Sequence, residues 1–192
     1  MAKVRFSVPR ALTLLIVSSA AIAASSGLPG DHGRPFDGVM PANPPPPPAA
    51  SAQHHEVRAP SMALALEAAQ AIVAACKQYA LGVTVVNAEG APKLVYIPDG
   101  SDAGHGYMAL RKAYTAVTFK VPTSQLVSRA REDQELGARI KADPNLLAFS
   151  GGLLLKVGDE IIGAIGVSGA EPGHHDEECG RVGLNRIKDR LK

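Results

Sequence analysis

The sequence predicts an α+β domain in which helices pack on an antiparallel sheet. Apolar residues recur at helical spacing over 62–81, and two later pairs of short apolar runs, at 83–97 and 151–169, are each joined by a turn. Another helical pattern follows the second pair. Strands and helices arranged in this order favour a sheet covered by helices. About 130 residues suffice for one self-contained core.

The first residues have the pattern of a secretory signal peptide. Basic residues precede an apolar run that is too short to span a bilayer comfortably, and a small-residue cleavage site follows at 21–23. We therefore predict a signal peptide over 1–23 and a periplasmic or secreted protein without a stable membrane anchor. An uncleaved anchor is the alternative interpretation.

Residues 24–60 form a Pro-rich linker. The prolines at 44–48 should be extended and semi-rigid, and nothing in the segment can bury a core. The adjacent His54 and His55 can contact a metal, but a solvated tail is favoured because the segment offers no fixed geometry. The predicted domain occupies 61–192.

The charge of the mature chain argues against one class of partner. The sequence has 20 Lys and Arg against 18 Asp and Glu, and removal of 1–23 leaves 17 against 18. Binding to nucleic acid depends on clustered Lys and Arg. No nucleic-acid partner is therefore predicted.

The domain begins with a helix and a hairpin. The apolar stripe of the 62–81 helix includes Cys76, and Gly82 follows as a C-terminal stop. The two strands, 83–86 and 93–97, are joined by a short polar turn.

Two helical segments come next. The segment 102–120 ends in a helix that stops before a proline. Thr123 or Ser124 is then a candidate N-cap. The amphipathic stretch that follows, 124–142, is expected to form two short helices split around Gly137.

A glycine-rich hairpin and a terminal helix complete the domain. The apolar runs 151–157 and 160–169 flank Gly158 and Asp159, which is a strong hairpin signal. Acids crowd the first turn of a helix that begins near His174. Strand glycines usually mark close backbone approach, and three positions are predicted to pack in this way: Gly163, Gly166 and Gly169.

Four motifs lie along the predicted domain. They are Gly-Ala-Ile-Gly-Val-Ser-Gly-Ala at 163–170, Asp-Glu-x-Cys at 176–179, Asp-Gly at 99–100 and Lys-Ala-Tyr-Thr-Ala-Val at 112–117. Together they resemble the GlcG/HbpS-like haem-binding (haem-degrading) family over 64–190. The resemblance implies a profilin-like antiparallel sheet, a small-molecule ligand such as haem or a related tetrapyrrole, and homo-oligomers.

Within the 112–117 motif, Lys112 and Thr115 lie three residues apart on a helix face. An ammonium beside a hydroxyl can bind a carboxylate such as a haem propionate. The alternative is an exposed lysine and a threonine bonded to its own backbone. Tyr114 and Thr115 are also candidate oxygen donors to iron.

Three histidines of the domain are candidate ligands of haem iron or a metal: His105, His174 and His175. Adjacent histidines point in different directions and rarely bind one ion together. Asp176 completes the candidate ligand-binding set, although capping of the terminal helix is favoured as its role. For His105 an exposed loop position is favoured.

Cys76 and Cys179 are the only cysteines. An oxidising compartment permits a disulfide, but two helices can be bridged only where their Cα atoms lie within about 7 Å. Two buried thiols are therefore favoured.

No catalytic residue is predicted, because no triad, phosphate loop or paired-carboxylate site stands out. Ile97-Pro98 replaces the Arg-Met that typically precedes Asp-Gly in the family, which removes an anion contact. Three hypotheses about function are kept: an exported small-ligand-binding protein, an enzyme or accessory subunit of a small-acid catabolic pathway, and a self-assembling structural module.

Overall fold

The computed structural model describes residues 57–192. The predicted signal peptide and the linker up to residue 56 lie outside the described residues. None of the helices in the described part is long and apolar enough to cross a membrane.

The centre of the domain is a four-stranded antiparallel sheet in the order β2-β1-β4-β3. Its strands are β1 Gly82–Asn87, β2 Pro92–Tyr96, β3 Gly152–Val157 and β4 Glu160–Ser168. Both predicted hairpins are confirmed, and Gly158 has the positive φ, 58°, that the tight turn between β3 and β4 requires.

Helices cover both faces of the sheet. α2 packs on one face, while α1 and α5 pack together on the other. The order of elements confirms the predicted α+β class. The helices are α1 Met62–Ala75, α2 Ala103–Phe119, α3 Ser124–Glu132, α4 Gln134–Ala142 and α5 His175–Ile187, which continues into a 3₁₀ turn, Lys188–Arg190.

The sheet separates two apolar clusters. Val83 and Val85 point towards α1 and α5, whereas Val86 points towards α2, in keeping with the alternation of side chains along a strand. Because both faces of β1 are covered, residues 82–86 are all buried. This explains why the strand reads as an almost continuous apolar run.

The strand glycines let the backbones of neighbouring elements touch. A Cβ added at Gly166 would collide with the carbonyl oxygen of Ala109 in α2, and one at Gly163 would collide with that of Val86. At Gly169 it would lie 2.5 Å from the carbonyl oxygen of Ala80. The predicted close packing of these glycines is confirmed.

The predicted end of the first helix is wrong. α1 ends at Ala75, and Gly82 is the first residue of β1. Gly82 is needed because α2 crosses there: a Cβ at this position would overlap the backbone between His105 and Gly106. The glycine therefore marks a close approach of two elements and not a helix stop.

The break between the two short helices lies at Asp133 and not at Gly137 as predicted. Asp133 has extended backbone angles, and its carboxylate accepts a hydrogen bond from the Leu136 N–H, 3.0 Å away, as the N-cap of α4. Thr123 precedes α3 without a side-chain cap, because its hydroxyl accepts from the Gly152 N–H at 2.8 Å.

Candidate functional site

A buried ion pair joins α2 to the first turn of α5. Lys112 Nζ lies 2.6 Å from Asp176 Oδ2, and the two side chains are 5% and 4% exposed. Lys112 Nζ also donates to the Val167 carbonyl at 3.0 Å, and Asp176 Oδ1 accepts from the Ala170 N–H at 2.9 Å. The pair therefore fastens α2, the end of β4 and the start of α5 to one another.

The ion pair corrects two sequence-based interpretations. Asp176 does not cap α5: the helix begins after His174, which makes no side-chain cap bond, and the Asp176 carboxylate faces Lys112 instead. Lys112 is not an exposed lysine, and binding a propionate would require it to leave a buried partner. Burial raises the pKa of the Asp176 carboxyl, while the Lys112 ammonium and the Ala170 N–H act in the opposite direction.

Thr115 and Tyr114 do not join Lys112 in one site. Thr115 is buried; its hydroxyl accepts from the Leu147 N–H at 2.7 Å and makes no hydrogen bond to the backbone of its own helix. The Tyr114 ring packs beside Gly90 in the turn between β1 and β2. The residues of the 112–117 motif thus face three different neighbours.

His105 lies in the first turn of α2 and is partly buried, which corrects the predicted exposed loop position. Its Nδ1 is 2.6 Å from the Ala80 carbonyl oxygen. Because a carbonyl can only accept, Nδ1 carries the hydrogen in this contact, and the neutral form of the ring has its lone pair on Nε2. A ring nitrogen held in this way by a backbone carbonyl is the usual arrangement for a histidine that ligates a metal through its other nitrogen.

His174 and His175 lie together at the start of α5, with Glu178 one turn further on. The two ring centroids are 4.2 Å apart, and His175 Nδ1 is 2.6 Å from Glu178 Oε2. One potential ligand atom from each residue falls within 4.8 Å of the others. The expectation that the adjacent histidines diverge is wrong, because His174 precedes the helix and its ring tilts over that of His175.

The two cysteines form a disulfide, so the prediction of two buried thiols is wrong. The Cα atoms of Cys76 and Cys179 are 6.1 Å apart, within bridging distance, because α1 and α5 pack side by side. Tyr79, three residues after Cys76, stacks on His175 with ring centroids 5.9 Å apart. The bridge therefore fixes the surroundings of the histidine pair.

Arg111 and Glu178 are candidate site residues that the sequence analysis missed. The Arg111 guanidinium donates to the Leu146 carbonyl at 2.8 Å and lies 5.6 Å from the centre of the Tyr107 ring, yet its Nε is buried without a partner among the described residues. The spacing of His175 and Glu178, three apart on a helix, would have indicated their contact. No comparable signal marks Arg111.

A groove of about 930 Å³ lies apart from these residues. Its walls include Pro60, Leu64, Lys93, Arg190 and Leu191, and none of the predicted site residues contributes to it. From the described residues, the groove offers cations and apolar side chains but no imidazole.

The chain is similar to proteins of one family. A family model described as haem degrading protein HbpS-like matches residues 61–185. Among solved structures, a double mutant of Streptomyces reticuli HbpS is 28% identical, with a TM-score of 0.62, over 77% of this chain and 99% of that one.

Two further crystal structures share the fold. Klebsiella pneumoniae protein ORFY is 24% identical, with a TM-score of 0.63, over 75% of this chain and 100% of that one. PduOC, crystallised as a complex with haem, is 23% identical, with a TM-score of 0.61, over 67% of this chain and 95% of that one. No curated protein matches the chain.

Proposed function

The chain belongs to the family of HbpS-like haem-degrading proteins, and from this membership we propose that its folded domain binds haem or a related tetrapyrrole. The observation that carries the proposal is the extent of the family match, which covers residues 61–185 and hence nearly all of the described domain. The same fold occurs in PduOC, whose crystal structure contains haem.

His105 is the residue best suited to be an axial ligand. A haem supplies an iron atom whose axial position an imidazole can fill. His175 is also partly buried, but its Nδ1 contacts the exposed Glu178 carboxylate, whereas the Nδ1 of the partly buried His105 is held by the backbone carbonyl of Ala80 at 2.6 Å. Its ring orientation is thus set before any ligand arrives, which lowers the entropy lost on binding.

Arg111 is the cation that we assign to a propionate. It follows His105 by six residues on α2 and leaves the helix on a different face, and its guanidinium has a buried Nε without a partner among the described residues. A planar guanidinium suits a carboxylate. Lys112 is not assigned this role, because it is already paired with Asp176 in the interior. Its part is to hold the start of α5 against α2.

Titration with haemin tests the assignment. We expect His105→Ala to weaken haemin binding and to shift the Soret band, and His174→Ala/His175→Ala, the matched control, to leave both unchanged. Thermal unfolding of each variant checks that the fold is retained. If His105→Ala keeps the wild-type band and affinity while the control variant loses them, the iron ligand is on α5, and our assignment is wrong.

We further propose that the protein is exported after removal of residues 1–23. The disulfide between Cys76 and Cys179 supports this, because disulfides persist mainly in oxidising compartments. N-terminal sequencing of the protein recovered outside the cytoplasm should find a first residue within one or two positions of Ala24. Recovery of intact chains beginning at Met1 from the soluble cytoplasm would argue against export.

We also propose that the domain forms homo-oligomers. β2 is an edge strand of the sheet, and Val95 and the adjoining Ile97 are 37% and 41% exposed. Exposed apolar side chains on an unpaired edge favour association with a second copy. Light scattering coupled to size-exclusion chromatography should give a multiple of the chain mass, and a monomer mass at micromolar concentration would contradict the proposal.

A further inference from the structure

The cluster of His174, His175 and Glu178 has a ligand set suited to a divalent transition-metal ion. We propose that these three side chains bind such an ion, of the chemical class of Zn²⁺, at a surface site separate from the proposed haem ligand His105. Two imidazoles and a carboxylate, with one position left to water, are an established set of zinc ligands. The proposal does not depend on haem binding.

The distances in the cluster are close to those that a metal requires. Ligand atoms about 2.0–2.2 Å from a tetrahedral zinc lie about 3.5 Å from one another. The three candidate atoms are already within 4.8 Å of each other, and His175 Nδ1 and Glu178 Oε2 are 2.6 Å apart. Small rotations of the two exposed side chains, His174 and Glu178, around the half-buried His175 therefore suffice. The ion would replace the hydrogen shared by His175 Nδ1 and Glu178 Oε2; from a protonated ring that proton would pass to solvent, and from a neutral ring it would move to Nε2.

Three carboxylates lie at the start of α5, and one of them is not paired with a lysine or an arginine of the described domain. Of the three acids in the first turn, Asp176 is paired with Lys112 and Glu177 with Arg181. Glu178 has only His175 as a polar side-chain partner within the described residues. The positive end of the helix dipole disfavours a cation modestly. The Glu178 carboxylate, placed beside the two imidazoles, opposes that effect.

The backbone under the cluster is held from three sides. Cys179, which follows Glu178 directly, is bridged to Cys76 of the α1 end. Tyr79 stacks on the His175 ring, and Asp176 is tied to α2 through Lys112. Ligands on a rigid support lose little conformational freedom on binding, which favours a metal site over three unconnected surface side chains.

Calorimetric titration of the purified, haem-free protein with Zn²⁺ tests the proposal. The background for all variants replaces His32, His54 and His55 with alanine, because those histidines can bind zinc independently. We expect one Zn²⁺ per chain in this background. His175→Ala and Glu178→Gln should each weaken binding at least about tenfold, since even changes next to ligands have effects of that size.

Two control variants locate the site. Glu171→Gln removes an exposed acid near α5 but outside the cluster and should leave zinc affinity unchanged. His105→Ala should also leave it unchanged, so loss of haemin binding and loss of zinc binding are separable. The proposal is wrong if the background variant binds no zinc, or if Glu178→Gln binds it as tightly as the background variant does.

Discussion

Replacement of Lys112 by methionine is expected to destabilise the domain strongly and in a pH-dependent way. The substitution removes the ammonium 2.6 Å from the Asp176 carboxylate, whose side chain is only 4% exposed. An unpaired carboxylate in such surroundings takes up a proton, because a buried charge without a counterion is more costly than a neutral carboxyl. The Ala170 N–H, which remains, does not replace a full positive charge.

The size of the effect follows from that protonation. An aspartate in the unfolded chain has a pKa of about 3.9, so keeping it protonated costs about 1.4 kcal/mol for each pH unit above that value. Lys112→Met should therefore lower the free energy of unfolding by up to about 4 kcal/mol at pH 7 and up to about 1.5 kcal/mol at pH 5, which are the limits for a carboxyl that stays fully protonated in the folded variant. The loss grows with pH because the pKa of Asp176 in the folded variant is raised above its value in the unfolded chain. The variant therefore keeps its stability near pH 4 and loses it as the pH rises.

Denaturant unfolding at pH 5 and pH 7 measures this difference against the wild-type protein. The control is the double variant Lys112→Met/Asp176→Asn, which has no carboxyl at this point and should therefore lack the extra loss of stability that Lys112→Met shows between pH 5 and pH 7. A loss in Lys112→Met of less than about 1 kcal/mol, equal at both pH values, would mean that the carboxylate is hydrated, since broken buried pairs cost about 3–5 kcal/mol. The described burial of the pair would then be wrong.

Three further predictions concern a packed glycine, the disulfide and the ion pairs of Glu67. Gly166→Val should lower stability by about 1–3 kcal/mol, because its side chain meets the backbone of α2, whereas Gly173→Ala, in open space, should leave the melting temperature unchanged. Replacing Cys76 and Cys179 together by alanine should lower the free energy of unfolding by about 2–5 kcal/mol, since the bridge closes a loop of 103 residues. The pKa of Glu67 is lowered by its hydrogen bonds with arginines of the C-terminal segment, so the stabilisation that it gives is present above its unfolded pKa and lost as the pH falls. The unfolding midpoints of Glu67→Gln and the wild type should therefore converge on acidification, and midpoints that differ equally at all pH values would refute the assignment.

Local signals predicted the secondary structure well where the neighbouring chain did not interfere. The turn at Gly158 and Asp159 needs only a glycine with positive φ between two apolar runs, and it was predicted in place. Gly82 was predicted to stop a helix from an equally local pattern. This prediction failed because the glycine is required by a distant contact, the close approach of the α2 backbone. The position of the break between α3 and α4 also depends on local interactions. It lies at Asp133 and not at Gly137 because the aspartate caps the N-terminus of α4.

The candidate site was less predictable because its contacts are distant in sequence. Lys112 and Asp176 are 64 residues apart, and only the packing of α2 and α5 against the sheet brings them together. The disulfide depends in the same way on how closely α1 and α5 pack, which periodicity does not give. The resemblance identified the correct family, as the family match over 61–185 shows. It could not distinguish residues that bind a ligand from residues that stabilise the fold.

Visible absorption of the purified protein during haemin titration tests the proposed function most directly. If the domain binds haem through His105, a Soret band distinct from that of free haemin should grow and saturate at a fixed ratio of haemin to chain. The band should be at a different wavelength in His105→Ala. A band that keeps the position of free haemin and grows without saturation would contradict haem binding, whatever the outcome of the zinc titration.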